Sequence, residues 1–380
     1  MRISGDWITR KGTQSLMKAL EDAGHQAYFV GGCVRNALLD VPVADVDIAT
    51  DAKPTRVMAL AKAAKMKPIA TGIDHGTVTV VSGGAVHEVT TFRKDVETDG
   101  RHAVVAFATD VADDAHRRDL TMNALYARAD GTVIDPLGGL ADLTARRVRF
   151  IDDADARIRE DYLRILRFFR FHAWYGDPAE GMDTTAIAAI AANLDGLDTL
   201  SRERVAAETL KLLAAPDPGP AVAAMAQTGV LTRILPGADC RALAPLVHLE
   251  DGHKPDPIRR LAVLGGHDIE SHLRLSNSDA RRLAVLQQEI GSDKRISVLA
   301  YRYGAETAID IALLRAASFG TPMDPNAQLQ ANKGASATLP VKAADLMPTL
   351  QGAALGARLK EIEARWIASD FTLTRAQLLN

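Results

Sequence analysis

The sequence predicts an α+β protein in which strands are confined to the first part and helices fill the rest. Up to about residue 150, short apolar segments with a period of two alternate with segments of helical period. Beyond that point only helical spacing continues, interrupted by short Pro- and Gly-rich breaks. We therefore predict three domains, 1–150, 151–215 and 216–380, the last boundary falling at a proline cluster.

The composition is that of a globular protein and argues against several classes. Hydrophobic residues make up 47% and charged residues 24% of the 380 residues, and the formal net charge is −3. Positive charge for a nucleic-acid partner would therefore have to be local. Two distant cysteines give neither a disulfide framework nor zinc spacing, which favours a cytoplasmic location. We expect no signal peptide, no membrane contact and no obligatory protein partner.

The elements of the first part follow from their periodicity and turn residues. In chain order we predict a helix over 13–23, a strand over 26–30, a helix from Pro54, a hairpin of strands 77–81 and 86–92, a short strand over 104–108, a helix over 113–123, and strands over 124–128 and from Val133. The charged segment 93–102 is interpreted either as a flexible loop over an active site or as a solvated connection. A single long helix is predicted over 154–175.

Residues 28–50 are the most informative stretch. An apolar strand meets the pair Gly31-Gly32, and a short helical pattern then leads into Asp45-Val46-Asp47. Side chains at i and i+2 of a strand point to the same side, so the two carboxylates are expected to project together. Such carboxylates raise each other's pKa unless a cation lies between them, and oxygen ligands on a strand suit Mg²⁺. The glycines let a backbone approach a phosphate, and Arg35 offers a forked donor.

In this order the motif resembles the signature of the class II tRNA nucleotidyltransferase and poly(A) polymerase family, within the polymerase-β-like nucleotidyltransferases. The family pattern G-G-x-V-R-D corresponds to residues 31–36, with Asn36 in place of the usual Asp, and a D-x-D strand follows. The string RRDLTMNAL at 117–125 resembles the family motif R-R-D-[FL]-T-x-N-A, and 135–143 resembles a structural D-P-x-x-G-x-x-D-L turn. The resemblance implies a polymerase-β-like nucleotidyltransferase head with a mixed sheet, followed by an all-α neck, body and tail.

The resemblance also implies roles for individual residues in the head. Asp45 and Asp47 are expected to hold two Mg²⁺ ions and to be catalytic. Glu88, on a strand expected beside theirs, is the candidate third catalytic carboxylate, and Asp119 is its rival. The residues expected to hold the nucleotide triphosphate are Gly31, Gly32, Arg35 and Arg118.

A second site is predicted at residues 159–171, where positions 161, 164, 167 and 170 step by three along one helical stripe. Asp161 as acceptor beside Arg164 as donor matches the Watson–Crick edges of both cytosine and adenine. Guanine and uracil present the reverse order and would leave two mismatched groups, at roughly 1–3 kcal/mol each. The stretch resembles the family motif E-D-x-x-R-x-x-R-x-x-R-F, which implies that Arg167 and Arg170 meet phosphates or ribose. The alternative is an exposed helix with i, i+3 salt bridges.

Two further segments carry weaker expectations. Residues 201–210 resemble the next family element, S-x-E-R-I/V-x-x-E-L/T, and are expected to buttress the neck, although a capped helix start fits equally well. In the helical tail, arginines such as Arg259 and Arg260 either track an RNA backbone or lie on solvated helix faces.

The function that the resemblance implies is template-independent addition of CMP and AMP, from CTP and ATP, to tRNA 3′ ends. The alternatives within the family are a poly(A) polymerase and a partial CC- or A-adding enzyme. Outside that activity we consider a catalytically inactive RNA-binding relative and a nucleotidyltransferase that modifies a small molecule. The intact D-x-D pair argues against the first, and the base-reading stripe and long helical tail argue against the second.

Overall fold

A computed structural model describes residues 1–95, 105–347 and 349–380 of the chain. The chain divides into two compact units, one of Met1–Glu208 with Gln227–Arg233 and one of Thr209–Ala226 with Ile234–Asn380. In the described part of the chain every strand lies in the first unit, and the second unit is helical. The predicted α+β class is confirmed. No described helix is both long and apolar enough to cross a membrane.

A mixed sheet of seven strands forms the centre of the first unit. The described residues contain nine strands, of which seven form this sheet and two a separate ladder: β1 Ala27–Val30, β2 Val46–Thr50, β3 Lys67–Ile69, β4 Thr77–Ser82, β5 Ala85–Thr91, β6 Arg93–Asp95, β7 Val105–Phe107, β8 Tyr126–Ala127 and β9 Val133–Ile134. The sheet order is β3-β4-β5-β2-β1-β8-β9, and β6 and β7 form a separate two-stranded ladder. Among the described strands of this sheet, β2 and β5 alone pair in parallel, and the other neighbours are antiparallel. This parallel pair places β2, which carries Asp47, beside β5, which carries Glu88.

Helices surround this sheet and then continue alone. Up to residue 213 they are α1 Asp6–Thr9, α2 Lys11–Glu21, α3 Gly32–Leu38, α4 Pro54–Ala63, α5 Val111–His116, α6 Gly139–Thr144, α7 Ala154–Glu160, α8 Leu163–Tyr175, α9 Thr184–Ala192 and α10 Arg202–Leu213. They are followed by α11 Gly219–Gln227, α12 Val230–Ile234, α13 Leu243–Leu249, α14 Pro257–Leu264, α15 Ile269–His272, α16 Asn277–Ile290, α17 Ile296–Tyr303, α18 Ala305–Phe319, α19 Ala327–Ser336, α20 Ala343–Leu346, α21 Gly352–Ala368 and α22 Arg375–Leu379. Short 3₁₀ turns lie at Ile73–His75, Thr121–Asn123 and Leu194–Thr199.

The two faces of the sheet are covered differently. Helices α2 and α4 pack on one face, where Ile48 and Val89 are at most 1% exposed and Thr13 Oγ1 lies 2.9 Å from His87 Nε2. On the opposite face, Ala49 near the end of β2 packs in a cluster with residues that include Phe92. The beginning of β2 and the adjoining part of β5 are left less covered, because their outward residues are half-buried or exposed.

The predicted long helix over 154–175 is wrong, because the chain breaks at Asp161. Its backbone is extended, with φ −154° and ψ 103°, between α7 and α8. The Asp161 carboxylate accepts a hydrogen bond from the backbone N–H of Leu163 at 3.1 Å, and its carbonyl accepts one from Arg164. A short acidic side chain that captures a nearby backbone N–H favours such a break and caps the next helix.

Two other expectations also need correction. The helix expected over 113–123 stops at His116, because Asp119 turns the chain by accepting the backbone N–H of Leu120 at 2.9 Å. Of the charged segment 93–102, residues 93–95 form β6, and the rest lies outside the described residues. The expected hairpin of β4 and β5 is present, with Gly83 and Gly84 at φ +57° and +80° in its turn.

The tail arginines Arg259 and Arg260 lie in the interior of the second unit, so neither expectation for them holds. They are 4% and 1% exposed and bind the two carboxylate oxygens of Glu250 at 2.7 and 2.9 Å. Arg259 also binds Asp310 at 2.7 Å, and Arg260 donates to the carbonyl of Leu213. These charges are buried because each has acceptors for its donors, which is the condition for burying a guanidinium.

Candidate active site

Parallel pairing of β2 with β5 places Asp47 directly beside Glu88. Asp45 is exposed and lies one residue before β2, so the strand begins within the D-x-D motif and not ahead of it. We refer to Asp45, Asp47 and Glu88 as the carboxylate row. Within the described residues, no side-chain hydrogen bond or ion pair reaches any of these three groups.

The electrostatics of the carboxylate row favour the binding of a cation. Burial and the neighbouring Glu88 carboxylate, with a smaller effect of Asp45, raise the pKa of Asp47 to about 6 against the opposing effect of Arg118. The three groups do not close into a ready-made three-ligand metal cluster in the part of the chain that is described. Mg²⁺ is commonly held by one or two carboxylates together with substrate phosphates, so an open arrangement of this kind fits that ion.

Arg118 lies beside the carboxylate row, and hydrogen bonds to Asp114 and Tyr126 fix its guanidinium group. Its Nη2 donates to Asp114 at 2.8 Å and its Nε donates to the Tyr126 hydroxyl at 3.0 Å. Arg117 binds the same Asp114 carboxylate through Nε at 2.9 Å. Burial would raise the pKa of Asp114, but the two guanidinium groups outweigh it and hold that pKa at about 2. Two guanidinium groups share one carboxylate, so the cluster keeps a net positive charge.

The glycine turn brings the backbone close to this charge. Gly31 has φ +69° and precedes α3, and a Cβ added there would lie 3.5 Å from Arg118 Nη1. A side chain at this position would be strained and would narrow the space next to the arginine. Gly32 begins α3, so backbone N–H groups and a guanidinium meet at one place. Anions bind readily to such an arrangement.

Arg35 lies behind the glycine turn and is directed towards protein partners. It is 7% exposed, and its Nη1 donates to Asn123 Oδ1 at 2.6 Å. Its Nη2 donates to Asn36 Oδ1 and to the Tyr175 hydroxyl, both at 2.9 Å. The guanidinium also lies 4.1 Å from the centroid of the Tyr175 ring. These contacts join the glycine turn of the head to the end of α8.

The predicted base-reading residues are brought together around α8. Asp161, which precedes the helix, binds Arg204 of α10 at 2.6 Å. We call Arg164, Arg167 and Arg170 the arginine stripe; its ion pairs measure 2.5–2.6 Å and are Arg164–Glu160, Arg167–Asp119 and Arg170–Glu208. Arg204 and Glu208 both belong to α10, so the segment from residue 201 does contact the neck, as expected.

Three residues of the site were missed from the sequence. Asp114 was not singled out, although its position four residues before Arg118 is typical of a helical ion pair. Tyr126, which donates to Asp114 at 2.8 Å, was interpreted only as a strand residue. The Tyr175 hydroxyl accepts a hydrogen bond from Arg35, which lies 140 residues earlier in the chain, and no local sequence pattern predicts this contact.

A mixed sheet that carries carboxylates beside a glycine turn and a half-buried arginine cluster is the arrangement expected of a nucleotidyltransferase head. The family model of the poly A polymerase head domain matches residues 27–149. A second model, described as a probable RNA and SrmB-binding site of polymerase A, matches residues 182–241. The two matches cover the sheet and the segment that follows α8.

Known proteins with the same organisation are similar over much of the chain. The crystal structure of the Bacillus stearothermophilus CCA-adding enzyme in complex with CTP has a TM-score of 0.77 and 30% identity, covering 95% of this chain and 93% of that one. The mitochondrial CCA tRNA nucleotidyltransferase 1 of Mus musculus is 39% identical over 257 residues, and the CCA-adding enzyme of Geobacillus thermodenitrificans is 44% identical over 224. These alignments cover 67% and 58% of this chain.

The chain belongs to the tRNA nucleotidyltransferase and poly(A) polymerase family. The resemblance drawn from the glycine turn, the D-x-D strand and the two arginine motifs is thereby confirmed. The alignments span 59% and 54% of the lengths of the two curated relatives.

Proposed function

We propose that the protein adds CMP and AMP, from CTP and ATP, to the 3′ ends of tRNA without a nucleic-acid template. The observation that carries the proposal is the pairing of Asp47 with Glu88 next to the Arg118 cluster. Uncompensated carboxylates beside a net positive cluster suit a reaction in which a metal-bound hydroxyl attacks a triphosphate. The named relatives, which are CCA-adding enzymes, support the choice of CTP, ATP and tRNA.

In this proposal Asp45 and Asp47 hold Mg²⁺, and Glu88 is the third catalytic carboxylate. Bound Mg²⁺ supplies positive charge that activates the attacking 3′-hydroxyl and stabilises the leaving pyrophosphate. Glu88 is preferred to Asp119 because Asp119 is already engaged: one oxygen accepts from Asn123 and the other binds Arg167. Glu88 is exposed on the strand beside Asp47.

The triphosphate lies, in this proposal, against Gly31, Gly32 and Arg118. The backbone of the glycine turn approaches the phosphates, while the guanidinium, fixed by Asp114, meets their charge without having to reorganise. Arg35 remains a predicted nucleotide ligand. Its present contacts also support a positioning role, since they tie the glycine turn to α8.

The base is selected by Asp161 and Arg164, with Arg167 and Arg170 towards phosphate or ribose. Asp161 is oriented by Arg204, and Arg164 by Glu160 at 2.5 Å. Fixed partners of this kind keep an acceptor and a donor at a constant spacing, which is what discrimination by hydrogen bonding needs. We further propose that residues 1–150 form the catalytic head, 151–215 the base-recognition neck, and 216–380 the RNA-binding body and tail. A cytoplasmic location stays a prediction.

The test is nucleotide incorporation into defined tRNA ends. Purified protein with Mg²⁺ is incubated with tRNAs that lack the whole CCA end, its last two residues or its last residue, and with labelled CTP or ATP separately. We expect CMP on the first two substrates and AMP only on tRNA ending in CC. Incorporation of A alone into any RNA end would overturn the CCA proposal in favour of a poly(A) polymerase. CMP addition without any AMP addition would identify a CC-adding enzyme, and AMP addition to tRNA ending in CC without CMP addition to the other two substrates would identify an A-adding enzyme.

A further inference from the structure

We propose that Tyr175 is a positioning residue, which holds the buried guanidinium group of Arg35 and thereby fixes the glycine turn against α8. The inference rests on the proposed function, because the glycine turn is the place proposed for the triphosphate. It adds to that function a residue that lies outside all of the sequence motifs. Tyr175 acts through Arg35 and not by contact with the nucleotide.

Arg35 is a buried cation that is held by neutral groups. It is 7% exposed, and all hydrogen bonds that its side chain makes within the described residues go to Asn36, Asn123 and the Tyr175 hydroxyl. The arginine stripe, by contrast, is paired with carboxylates. A buried guanidinium group without a carboxylate depends on every acceptor that surrounds it. The loss of one acceptor should therefore loosen Arg35.

Tyr175 stabilises this buried charge in two ways. Its hydroxyl accepts a hydrogen bond from Arg35 Nη2 at 2.9 Å, and its ring centroid lies 4.1 Å from the guanidinium carbon. The face of an aromatic ring attracts a cation, and the attraction is stronger where water is excluded. Burial lowers the pKa of Arg35, and Tyr175 is the strongest of the neighbours that oppose this effect. One side chain thus supplies both an acceptor and a ring face to the same charge.

The position of Tyr175 on α8 connects the glycine turn with the residues proposed to read the base. Arg164, Phe171 and Tyr175 are spaced by seven and four residues, so they share one face of the helix. About 16 Å along the helix separate Arg164 from Tyr175. On the side of the turn, the backbone N–H of Arg35 donates to the carbonyl of Gly31 at 2.9 Å. A single helix therefore sets the spacing between the two parts of the nucleotide site.

A loosened Arg35 should slow the reaction more than it weakens nucleotide binding. The backbone of the glycine turn would still meet the triphosphate, but it would occupy a wider range of positions. A small displacement of the reacting phosphate is enough to slow attack by a hydroxyl. The expected signature is thus a lower kcat with a nearly constant KM for the nucleotide.

The first test is a double-mutant cycle between positions 175 and 36. Tyr175→Phe removes the hydroxyl but keeps the ring, and we expect kcat for CMP and AMP addition to fall about five- to tenfold. The KM for CTP should stay within about twofold. Asn36→Asp places a carboxylate beside the same guanidinium group, because Asn36 Oδ1 accepts from Arg35 Nη2 at 2.9 Å. With Asn36→Asp present, Tyr175→Phe should lower kcat by less than about twofold.

The control for this cycle is Tyr28→Phe. It removes another half-buried hydroxyl of the first unit, which donates to Gln26 at 3.1 Å, and it should leave kcat unchanged. The same loss from Tyr175→Phe with and without Asn36→Asp, or no loss at all, would overturn the proposal. A higher KM for CTP with an unchanged kcat would also overturn it, because that result would indicate direct contact with the nucleotide.

The second test measures the glycine turn itself and does not depend on catalysis. Cys33 follows the glycine pair, is 2% exposed, and has a thiol pKa that burial raises to about 11. Alkylation of this thiol therefore requires local opening of the turn. In a Cys240→Ser background at constant pH, we expect Tyr175→Phe to raise the alkylation rate of Cys33 about fivefold, and added Asn36→Asp to restore it.

The two possible failures give different results in this test. An alkylation rate that Tyr175→Phe leaves unchanged would refute the role of Tyr175 even if nucleotide addition is confirmed. An equal rise in Tyr28→Phe would refute it as well. A rise confined to Tyr175→Phe, in a protein that adds no nucleotide to any tRNA end, would retain the role of Tyr175 and refute the proposed activity.

Discussion

The carboxylate row and the arginine stripe lie in the same unit but meet opposite electrostatic conditions. Each arginine of the stripe has an acidic partner within 2.6 Å. The carboxylate row has no such partner within the described residues, and the pKa of Asp47 is raised to about 6, by burial above all. The charges of the arginine stripe are balanced by acidic side chains of the protein, whereas the carboxylate row gains a counter-charge only when a cation binds.

This difference suggests two ways of using charge. The stripe arginines are held in place by their acidic partners. Two of them, Arg167 and Arg170, also lie 5.4 and 4.4 Å from the centroid of the Phe171 ring, and Arg35 of the head lies 5.1 Å from it. These contacts fix the positions of the guanidinium groups, and selection between bases requires hydrogen-bonding groups at fixed positions. The carboxylates keep their charge uncompensated in the folded protein, at a cost in stability, and this favours cation binding.

The largest effect is expected from Asp47→Asn, which removes the charge but keeps the shape. Nucleotide addition should fall by about a thousandfold or more, because the proposed metal ligand is lost. Stability should move the other way. The folded pKa, about 6, lies above the ordinary value of 3.8, so ionisation of Asp47 destabilises the fold increasingly as the pH rises through that interval and by a constant amount above it. In metal-free buffer at neutral pH we expect the variant to be more stable by about 1 kcal/mol.

Two measurements check this prediction: labelled CMP incorporation, and urea unfolding with a chelator at pH 4.5 and pH 7.5. The stabilisation should be present at pH 7.5 and largely absent at pH 4.5, where Asp47 is protonated in the folded protein. A variant that is less stable than the unmodified protein at pH 7.5 would mean that Asp47 is compensated in the fold. The contrast between the two regions would then be lost.

A smaller effect is expected from Arg118→Lys, which keeps the charge but loses the forked contact to Asp114 and Tyr126. The KM for CTP and ATP should rise about tenfold or more, because a lysine cannot hold the same fixed geometry. The matched control is Arg117→Lys, since Arg117 binds the same carboxylate and is similarly buried, with 20% against 18% of the side chain exposed. Equal losses in both variants would assign the effect to the Asp114 cluster as a whole.

The third prediction concerns base selection, for which we propose that Asp161 and Arg164 present an acceptor and a donor at fixed positions. Asp161→Asn retains an oxygen for the Leu163 N–H but replaces the oxygen that accepts from Arg204 with an amide donor, so the group offered to the base changes from acceptor to donor. The kcat/KM for GTP relative to ATP should rise about tenfold, with little change in the Tm. Asp155→Asn is the control, because Asp155 is an acidic residue of α7 paired with Arg159 at 3.1 Å. An unchanged GTP to ATP ratio would remove Asp161 from base reading.

The difference between the regions also explains what sequence could predict. Asp45, Asp47 and Arg118 can be proposed from the sequence because local spacing and short motifs carry them. Alternation predicts that β2 and β5 are strands, and Glu88 lies, as expected, on the strand beside Asp47, but alternation predicts neither where β2 begins nor the parallel direction of the pair. The partners of the arginines could not be found in this way. Arg167–Asp119 spans 48 residues and Arg170–Glu208 spans 38, and such pairs depend on how helices pack.

The same reasoning explains the errors. The spacing of residues 154–175 is helical throughout, and it does not show that Asp161 hydrogen-bonds the backbone ahead of it and breaks the helix. Likewise, two adjacent arginines look like surface residues in a sequence. Only the fold brings Glu250 and the carbonyl of Leu213 to Arg260.

The smallest effect is expected at Asn36, the position where the family pattern has Asp. Asn36 Oδ1 accepts from Arg35 Nε at 3.2 Å and from Nη2 at 2.9 Å, while its Nδ2 donates to the carbonyl of Pro42 at 3.1 Å. Asn36→Asp would strengthen the contact to Arg35 and lose the donor to Pro42, so the two changes oppose each other. We therefore expect kcat for CMP and AMP addition to stay within about twofold.

Asn36→Leu is the companion variant, because it removes the acceptor as well as the donor and leaves Arg35 with unpaired buried donors. Its kcat should fall about tenfold, while the KM for CTP stays close to that of the unmodified protein. Together the two variants separate charge from hydrogen bonding at the junction between the glycine turn and α8. A large gain in kcat from Asn36→Asp alone would mean that Arg35 needs a full counter-charge, as the stripe arginines do, and that hydrogen bonds alone do not hold it.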